Sequence, residues 1–403
     1  MKPTKNHSHS SWTWGFILVC VAAGIALSIS MGVRQSLGLF LSPMTNNISV
    51  TVGSFGMAMA VQNLSWGITQ PVIGLLADRF GSQIVLFCVG PIYALGLLLM
   101  AYGEAAGLLF GGGVLIGLAV SGSAFGVVLG AVSRAAPEES RALVVSIVSA
   151  AGSIGTLLLA PLGQHLIDAY GWQIALVAFA MIAGAISLMG LGLSGESNLT
   201  QDEKPEPFTA IRLALAHKGY VAMTIAFFAC GFQLIFISTH LPGYIEICGL
   251  PPTVGATALA LIGIFNAIGT LVIGIMGARY GNGLMLGLVY LLRTSAIAIY
   301  ILTPVSIETT LIFASVMGLL WLSVAPLVSA LITSMFGVAN FGTLFGVMFL
   351  SHQVGSFFGA WLGGLSFDLT GNYLAAWWGL IAVGLLAFLL QISADEEPTP
   401  KGV

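Results

Sequence analysis

Twelve long apolar runs divide this 403-residue chain, and they constrain its fold more than any other feature. Each run holds about 19 to 28 residues, enough for a helix rising 1.5 Å per residue to cross a hydrocarbon core of about 30 Å. Backbone amides find no water at that depth, so each run is predicted to be an α-helix. The runs cover residues 14–41, 53–77, 84–102, 106–131, 141–167, 172–193, 218–245, 253–278, 282–302, 308–335, 341–366 and 373–392.

The composition supports a membrane protein and excludes several other classes. Only 7% of the residues are charged, against roughly 25% in a soluble domain. The net charge of −3 lies in the segments between runs and indicates no nucleic-acid partner. The four cysteines lack metal or disulfide spacing, and no catalytic set or nucleotide motif is present. We therefore expect a monomer embedded in the lipid bilayer, with no enzyme activity, no cofactor and no metal.

The basic residues predict the orientation, because Lys and Arg accumulate on the cytoplasmic side of a membrane protein. With the N-terminus inside, ten of the twelve Lys and Arg fall in predicted cytoplasmic segments and none falls in an external loop. We therefore expect a multi-pass protein of the cell membrane, either a plasma or an inner membrane, with both termini cytoplasmic. The two remaining basic residues, Arg34 and Arg293, are the only formal charges predicted within the hydrocarbon region.

A shift of 200 residues aligns the two halves of the chain. Gly74, Arg79 and Gly81 then fall on equivalent residues at 274, 279 and 281, and a second cluster within 155–171 falls on 355–371. Parallel repeats of six spans imply two similar bundles related by an axis along the membrane normal. The predicted fold class is an all-α membrane protein with twelve transmembrane helices in two pseudo-symmetric six-helix bundles. The predicted segments are a cytoplasmic tail (1–13), the first bundle (14–193), a cytoplasmic central loop (194–217), the second bundle (218–392) and a cytoplasmic tail (393–403).

The segment GLLADRFGSQ, between the second and third runs, resembles the signature loop of the major facilitator superfamily. The matching residues are Gly74, Asp78, Arg79 and Gly81. Ser82 and Gln83 stand where that family has basic residues. The resemblance covers the whole chain and implies transport by alternating access, with the four matching residues forming a gating loop.

Three short stretches also resemble the monocarboxylate transporters and the oxalate:formate antiporters within that superfamily. WTWGF at 12–16 is similar to the start of their first span, and GWQIAL at 171–176 to their Gly-Trp-Arg motif. RQSLGLF places Arg34 six residues before Phe40, where that family has a substrate lysine in a similar frame. The resemblance implies a small organic anion as substrate, and a monocarboxylate in particular.

Arg34 is the predicted charge partner of that anion. A guanidinium stays charged and costs several kcal/mol or more in lipid, so a buried one calls for a negative partner. Its planar fork accepts a carboxylate through two hydrogen bonds. The alternative is that Arg34 reaches the outer headgroups, since twenty residues from Trp14 span ~30 Å of helix.

Four other polar residues at membrane depth are weaker substrate-binding candidates. Arg293 either binds the substrate or braces neighbouring helices, and Asn266, at a comparable depth, is a candidate hydrogen-bonding neighbour for it. Asn63 and Gln233 either line a cavity and orient a small ligand or form hydrogen bonds between helices.

Two histidines are the candidates for proton coupling, because all fifteen Asp and Glu lie in predicted loops, helix ends or tails. His352 lies midway along the eleventh run and His240 toward the outer end of the seventh, and an imidazole titrates near physiological pH. In the oxalate antiporters the eleventh span carries a substrate-binding basic residue, so the resemblance also implies His352 as a substrate-binding candidate. For both residues the alternative is an ordinary hydrogen bond between helices.

These observations predict a secondary transporter of a small organic anion, coupled to protons or not. Symport, antiport and uniport remain open at this point. The alternative is an exporter of drugs or other small solutes with the same fold. Cation exporters usually keep an acidic residue in the cavity and a Gly-Pro motif in the fifth span, whereas this chain has a basic residue and Ala160 before Pro161.

Overall fold

The computed structural model describes residues 14–103, 105–137, 140–193, 207–337 and 341–394. The tails and the central loop that the sequence predicts lie mostly outside these residues. The helices of the first half are α1 (Trp14–Ser36), α2 (Leu41–Asn47), α3 (Val52–Phe80), α4 (Ser82–Tyr102), α5 (Ala106–Ser123), α6 (Phe125–Ala135), α7 (Arg141–Tyr170), α8 (Trp172–Gly184) and α9 (Ile186–Gly190). Those of the second half are α10 (Pro207–Ala216), α11 (Lys218–Ile247), α12 (Pro252–Tyr280), α13 (Asn282–Leu302), α14 (Ile307–Leu320), α15 (Val324–Phe336), α16 (Phe341–Thr370) and α17 (Leu374–Ile392).

Within the described ranges, eleven helical segments are long and apolar enough to cross a membrane. The predicted run at 53–77 forms α3, which is not among these eleven although its 29 residues give a length of about 43 Å. Its middle carries Gln62 and Asn63, which lower its mean hydropathy. Because both side chains are buried inside the protein, α3 presents little of its polarity to lipid and can lie at membrane depth with the others.

Two spans that the sequence predicts as continuous helices are interrupted near their middles. The fourth span breaks at Ala124, between α5 and α6, and the tenth breaks at residues 321–323, between α14 and α15. α5 and α6 contain no proline, whereas Pro326 in the first turn of α15 lacks an N–H and its ring clashes with a helical carbonyl at Leu322. Side chains from neighbouring helices donate or accept hydrogen bonds near both breaks. The first span also changes form, because a 3₁₀ turn at Leu37–Phe40 separates α1 from α2.

The 200-residue offset recurs in the packing within each half. Gly155 of α7 lies so close to the carbonyl of Ser28 on α1 that a side chain would not fit between the helices. Gly355 of α16 lies equally close to the carbonyl of Phe228 on α11. Glycine at these positions lets the two backbones approach directly, which is how helices associate in lipid.

The two halves meet through α3 against α16 and α7 against α12, with the closest contacts on the predicted outer side. There the Asp368 carboxylate accepts a hydrogen bond from the backbone N–H of Gly53 (2.9 Å), and Gly38 packs on the Ser238 carbonyl. We call this region the outer contact. Toward the predicted cytoplasmic side the helices separate: of the last ten residues of α3 only Ala77 is buried, and the corresponding end of α12 is similarly exposed. The halves are thus closed on one side and open on the other.

Candidate functional site

Arg34 lies in the last turn of α1 and reaches toward the middle of α3. Its Nη2 donates a hydrogen bond to Oδ1 of Asn63 (2.6 Å), and its guanidinium carbon lies 4.8 Å from the centroid of the Trp66 ring. Asn63 and Trp66 are eleven and fourteen residues from the start of a 29-residue helix, which places the guanidinium at mid-depth. The side chain is directed at α3 rather than at the outer headgroups.

The charge of Arg34 has no carboxylate partner in the part of the chain that the structure describes. Among those residues the ion pair is that between Arg134 and Asp78, near one end of the bundle. Nε of Arg34 is buried without a hydrogen-bond partner, while the side chain as a whole is only partly buried. An arginine at this depth with one neutral acceptor and one aromatic face still has donors that can bind an anion.

The groups around Arg34 are held in place by hydrogen bonds along α3. Asn63 Nδ2 donates to the carbonyl of Met59 (2.8 Å), which fixes the amide so that its oxygen faces the guanidinium. Trp66 Nε1 donates to Oε1 of Gln70 (2.7 Å), and Gln70 Nε2 donates to the carbonyl of Ser121 (3.2 Å), close to the break in the fourth span. The site is therefore pre-organised by one helix face.

Aromatic side chains connect this site to the second half of the protein. Phe349 of α16 lies edge-on to Trp66, with ring centroids 5.1 Å apart, and parallel to the ring of His352 at 6.0 Å. Phe227 of α11 lies 5.0 Å from the same imidazole. Arg34 and His352 thus lie on opposite sides of the boundary between the halves, with aromatic rings between them.

His352 is buried, and its Nδ1 lies 3.4 Å from the hydroxyl of Ser356. Phe349 connects it to Trp66, whose ring contacts the guanidinium of Arg34. A proton on His352 would be repelled by Arg34 unless an anion stood between them. This arrangement makes His352, of the two predicted histidines, the one that shares a site with Arg34.

His240 lies elsewhere, beside the outer contact. Its Nε2 is 2.8 Å from the carbonyl of Ala360, its Nδ1 has no partner, and its ring lies 5.3 Å from that of Tyr373. Ala360 is eight residues along α16 from His352, which corresponds to about 12 Å of helix. The two histidines do not meet in one site.

The remaining predicted substrate-binding residues lie outside the immediate surroundings of Arg34. Gln233 is fully buried and donates to the carbonyl of Leu380 on α17 (3.0 Å). Arg293 has no exposed surface, and its Nη2 donates to the carbonyls of Leu320 and Trp321 (3.0 Å to Trp321).

Asn266 lies at the boundary between the halves, with its amide already bonded on both sides. Its Nδ2 donates to Ser153 Oγ (2.9 Å), and its Oδ1 accepts from the backbone N–H of Leu322 (3.0 Å). Asn266 and Arg293 therefore contact the same break in the tenth span.

The predicted gating loop contains an ion pair that the sequence did not indicate. Arg134, at the end of the fourth span, lies 3.5 Å from Asp78 and donates through Nη2 to the hydroxyl of Ser82 (2.8 Å). Ser82 therefore accepts a hydrogen bond at the position where the signature loop described above has a basic residue. The pair is partly exposed, so its energetic contribution is small.

The other residues of this loop shape the turn between α3 and α4. Gly81 has φ = 91°, a conformation that side chains other than glycine rarely adopt, and it ends α3 sharply. Gly74 has open space around it. The Arg79 guanidinium lies 5.3 Å from the ring centroid of Phe80. The loop is a defined turn at the predicted cytoplasmic end, where the halves are apart.

The sequence patterns did not single out Trp66, Gln70 and Phe349 as parts of the site. Trp66 follows Asn63 by three residues and Gln70 follows Trp66 by four, so the three lie on one helix face, which is the signal that could have identified the first two. Phe349 lies in another half of the chain, and no local pattern relates it to Trp66.

Comparison with known proteins identifies the architecture. The model of the Major Facilitator Superfamily matches residues 23–325. Monocarboxylate transporter 11 of Mus musculus is 28% identical, over 90% of this chain and 83% of its own length. Monocarboxylate transporter 13 of Rattus norvegicus is 23% identical, over 90% of this chain and 85% of its own. The crystal structure of a bacterial homologue of the human lysosomal transporter Spinster superposes with a TM-score of 0.76 at 13% identity, covering 96% of this chain and 99% of the other, and shares the fold.

Proposed function

Because this chain belongs to the Major Facilitator Superfamily, we propose that it carries a small organic anion, a monocarboxylate, across the membrane by alternating access. The superfamily comprises secondary transporters and not enzymes. The all-α membrane fold that the sequence predicts is the major facilitator fold, which the solved structures similar to this chain share.

One observation carries the proposal: Arg34 lies at mid-depth, at the boundary between the halves, without a carboxylate partner among the described residues. A permanent charge at this depth is costly, and proteins usually neutralise it with a partner. A passing carboxylate would supply that partner through a charge-assisted hydrogen bond to the guanidinium. Binding of the anion then neutralises the guanidinium, and release of the anion leaves it charged again for the next transport cycle.

The surroundings of Arg34 favour an anion with one charge and an apolar body. Among the residues that the structure describes, the guanidinium is the one formal charge at the site, whereas a dicarboxylate would bring a second charge next to Trp66 and Phe349. Aromatic rings offer dispersion contacts and apolar burial to a short hydrocarbon tail. The relatives named monocarboxylate transporters agree with this substrate class.

We assign His352 to the same site as a second polar group for the anion and as the candidate proton carrier. An anion beside Arg34 offsets the repulsion between the guanidinium and a protonated imidazole. Binding of the anion and of a proton would then favour each other. His240, beside the outer contact, remains a separate proton-coupling candidate.

The proposed orientation places both termini in the cytoplasm. Basic residues at the ends of described helices, such as Arg79, Arg134 and Arg279, lie on the open side of the structure. The positive-inside rule makes that side cytoplasmic. In this orientation the protein is open to the cytoplasm, and the outer contact closes the opposite side.

Uptake into proteoliposomes tests the proposal. A set of labelled carboxylates, from formate to dicarboxylates, is offered with and without an imposed pH gradient. We expect uptake of monocarboxylates with a short apolar tail, lost in Arg34→Gln and kept in Arg212→Gln, which removes a charge from an exposed position on α10. A gradient effect present in the unmodified protein and lost in His352→Gln assigns the proton to His352. Equal uptake by Arg34→Gln and the unmodified protein would refute the role of Arg34.

A further inference from the structure

The break in the tenth span exposes backbone groups that the membrane interior cannot satisfy. α14 ends at Leu320 and α15 begins at Val324, so carbonyls and N–H groups on both sides of residues 321–323 lose their helical partners. Each such group costs free energy in a medium without water. Two side chains from neighbouring helices satisfy them.

Arg293 of α13 satisfies the carbonyl side of the break. Its Nη2 donates to the carbonyl oxygens of Leu320 and Trp321. These carbonyls form the C-terminal end of α14, where the helix dipole is negative and favours a cation. The charge of Arg293 is thus compensated by backbone dipoles of its own half.

Asn266 of α12 accepts a hydrogen bond from a free N–H at the break and at the same time contacts the other half of the protein. Its Oδ1 accepts from the N–H of Leu322 (3.0 Å), while its Nδ2 donates to the hydroxyl of Ser153 on α7 (2.9 Å). The second hydrogen bond of its oxygen comes from Thr270, one turn along the same helix (3.3 Å). One amide therefore links the break to the opposite bundle.

Close backbone packing makes this link stiff. A side chain at Gly263 would lie 2.9 Å from the carbonyl of Ser153, so α12 touches α7 at this level. Gly269, one and a half turns further along α12, lies against the backbone of Leu319 at the end of α14. A movement of α7 against α12 is therefore transmitted directly to the region of the break.

We infer that Asn266 is a positioning residue that couples the separation of the two halves to the angle of the tenth span at its break. When α7 moves relative to α12, the hydrogen bond to Ser153 changes, and the amide shifts the N–H of Leu322 with it. Arg293 keeps the end of α14 fixed, so that α15 is the part that turns. This inference rests on the alternating access of the proposed function, but not on the identity of the substrate.

Distances between spin labels test the inference without any substrate. A pair at Arg141 and Tyr280 reports the separation of α7 and α12, and a pair at Leu284 and Ser334 reports the position of α15 within its own half; all four residues are exposed. The background carries Cys20→Ser, Cys88→Ser and Cys248→Ser and keeps Cys230, which is buried. Gly364→Trp places a large side chain against Val52 and Gly53 in the outer contact. We expect this side chain to hold the outer side open and so to favour closure of the predicted cytoplasmic side.

In the parent protein we expect Gly364→Trp to shorten the Arg141–Tyr280 distance and to shift the Leu284–Ser334 distance with it. With Ser153→Ala or Asn266→Ala, the first shift remains and the second is lost. Thr270→Val is the matched control: it removes another hydrogen bond from the same amide oxygen and should leave both shifts intact.

An unchanged Leu284–Ser334 distance in the parent protein would overturn the inference, because α15 would then move rigidly with its half. A shift that persists in Ser153→Ala would overturn it as well, since Asn266 would then serve only the break. Ser153→Ala leaves the acceptor for Leu322 intact, so this test stands even if Asn266→Ala fails to fold.

Transport kinetics give a second readout. We expect Ser153→Ala and Asn266→Ala each to lower the maximal rate, about fivefold for a hydrogen bond of about 1 kcal/mol, with KM unchanged. The double variant should be no slower than Asn266→Ala. A raised KM in Asn266→Ala at an unchanged maximal rate would instead mark Asn266 as a substrate group and contradict the inference.

Discussion

Arg34 and Arg293 are both arginines at membrane depth with no carboxylate partner among the described residues, yet their surroundings differ. Arg293 is fully buried and its Nη2 donates to two carbonyls that end a helix, while its Nε and Nη1 have no hydrogen-bond partner among those residues. Arg34 is partly exposed and has one amide oxygen and one aromatic ring, with its Nε unpartnered. Depth alone therefore does not mark a binding charge. The two arginines differ in what compensates the guanidinium charge: two carbonyls at a helix end for Arg293, and a single amide oxygen for Arg34.

The internal repeat sharpens this contrast. The residue 200 positions before Arg293 is Tyr93, whose hydroxyl donates to the carbonyl of Ser30 (3.0 Å), while the hydroxyl of Ser30 lies 2.8 Å from that of Ser123, next to the break in the fourth span. The first half thus supports its break with neutral groups. Its arginine stands elsewhere, at Arg34, where the second half has Leu234. The same bend therefore recurs in both halves, but among the described residues only the second half uses an arginine to support it.

Arg293→Met should have the largest effect on stability. The substitution leaves the carbonyls of Leu320 and Trp321 unpaired, at a cost of about 1 to 3 kcal/mol each. We expect a clearly lower thermal transition in detergent, with KM unchanged in the protein that remains folded. Leu292→Met, on the lipid-facing side of the same helix, is the control. An unaltered transition together with lost substrate binding would reverse the roles of the two arginines.

Arg34→Gln should show the opposite pattern. Loss of a charged hydrogen-bonding partner costs about 2 to 5 kcal/mol of binding, so we expect uptake to fall at least ~30-fold. The thermal transition should stay close to that of the parent, because Arg34 satisfies no backbone group. A fall in stability as large as that of Arg293→Met would show that Arg34 is a structural residue.

Asn63→Asp tests the missing counter-ion directly. It places a carboxylate where the amide oxygen now lies, 2.6 Å from Nη2 of Arg34. The built-in anion should compete with the substrate and lower uptake by about 10- to 100-fold, while the new ion pair preserves or raises the melting temperature. Asn63→Leu removes the same amide without adding a charge and is the control. Uptake by Asn63→Asp that equals the parent's would contradict a free charge at Arg34.

Phe349→Ala should give the smallest effect and a selective one. Its ring lies between Trp66 and His352, where we place the apolar body of the anion. Removing it should raise KM about fivefold for a carboxylate with a hydrocarbon tail and leave formate unaffected. Concentration-dependent uptake of the two anions measures the difference. Equal changes for both would place the tail elsewhere.

The sequence predicted the parts of the fold that depend on local pattern. Apolar length located the spans, and the 200-residue offset predicted a repeat whose contacts recur at Gly155 and Gly355. Pro326, three residues beyond the break at residues 321–323, is the local signal for a kink or helix end there, because it lacks an N–H and its ring clashes with a helical carbonyl at Leu322. The sequence did not predict the hydrogen bonds that satisfy the break, because they come from Asn266 and Arg293 on two other helices.

For the candidate site, the sequence predicted single residues but not the contacts between them. The position of Arg34 in an apolar run was sufficient to single it out, and Asn63 was noted as a polar residue at depth. That these two side chains bond each other depends on the rotation of α3 against α1, which no local pattern encodes. For Arg293 the sequence indicated burial correctly, but whether it binds substrate or braces helices depends on carbonyls 27 and 28 residues away.

Equilibrium binding of the best-transported carboxylate to purified protein shows whether Arg34 binds the anion, because this measurement separates binding from transport. The dissociation constant is measured for the parent, Arg34→Gln and Arg293→Met under conditions where all three are folded. We expect binding about 100-fold weaker in Arg34→Gln and nearly unchanged in Arg293→Met. Parent-like affinity in Arg34→Gln, or affinity lost only in Arg293→Met, would contradict this role of Arg34.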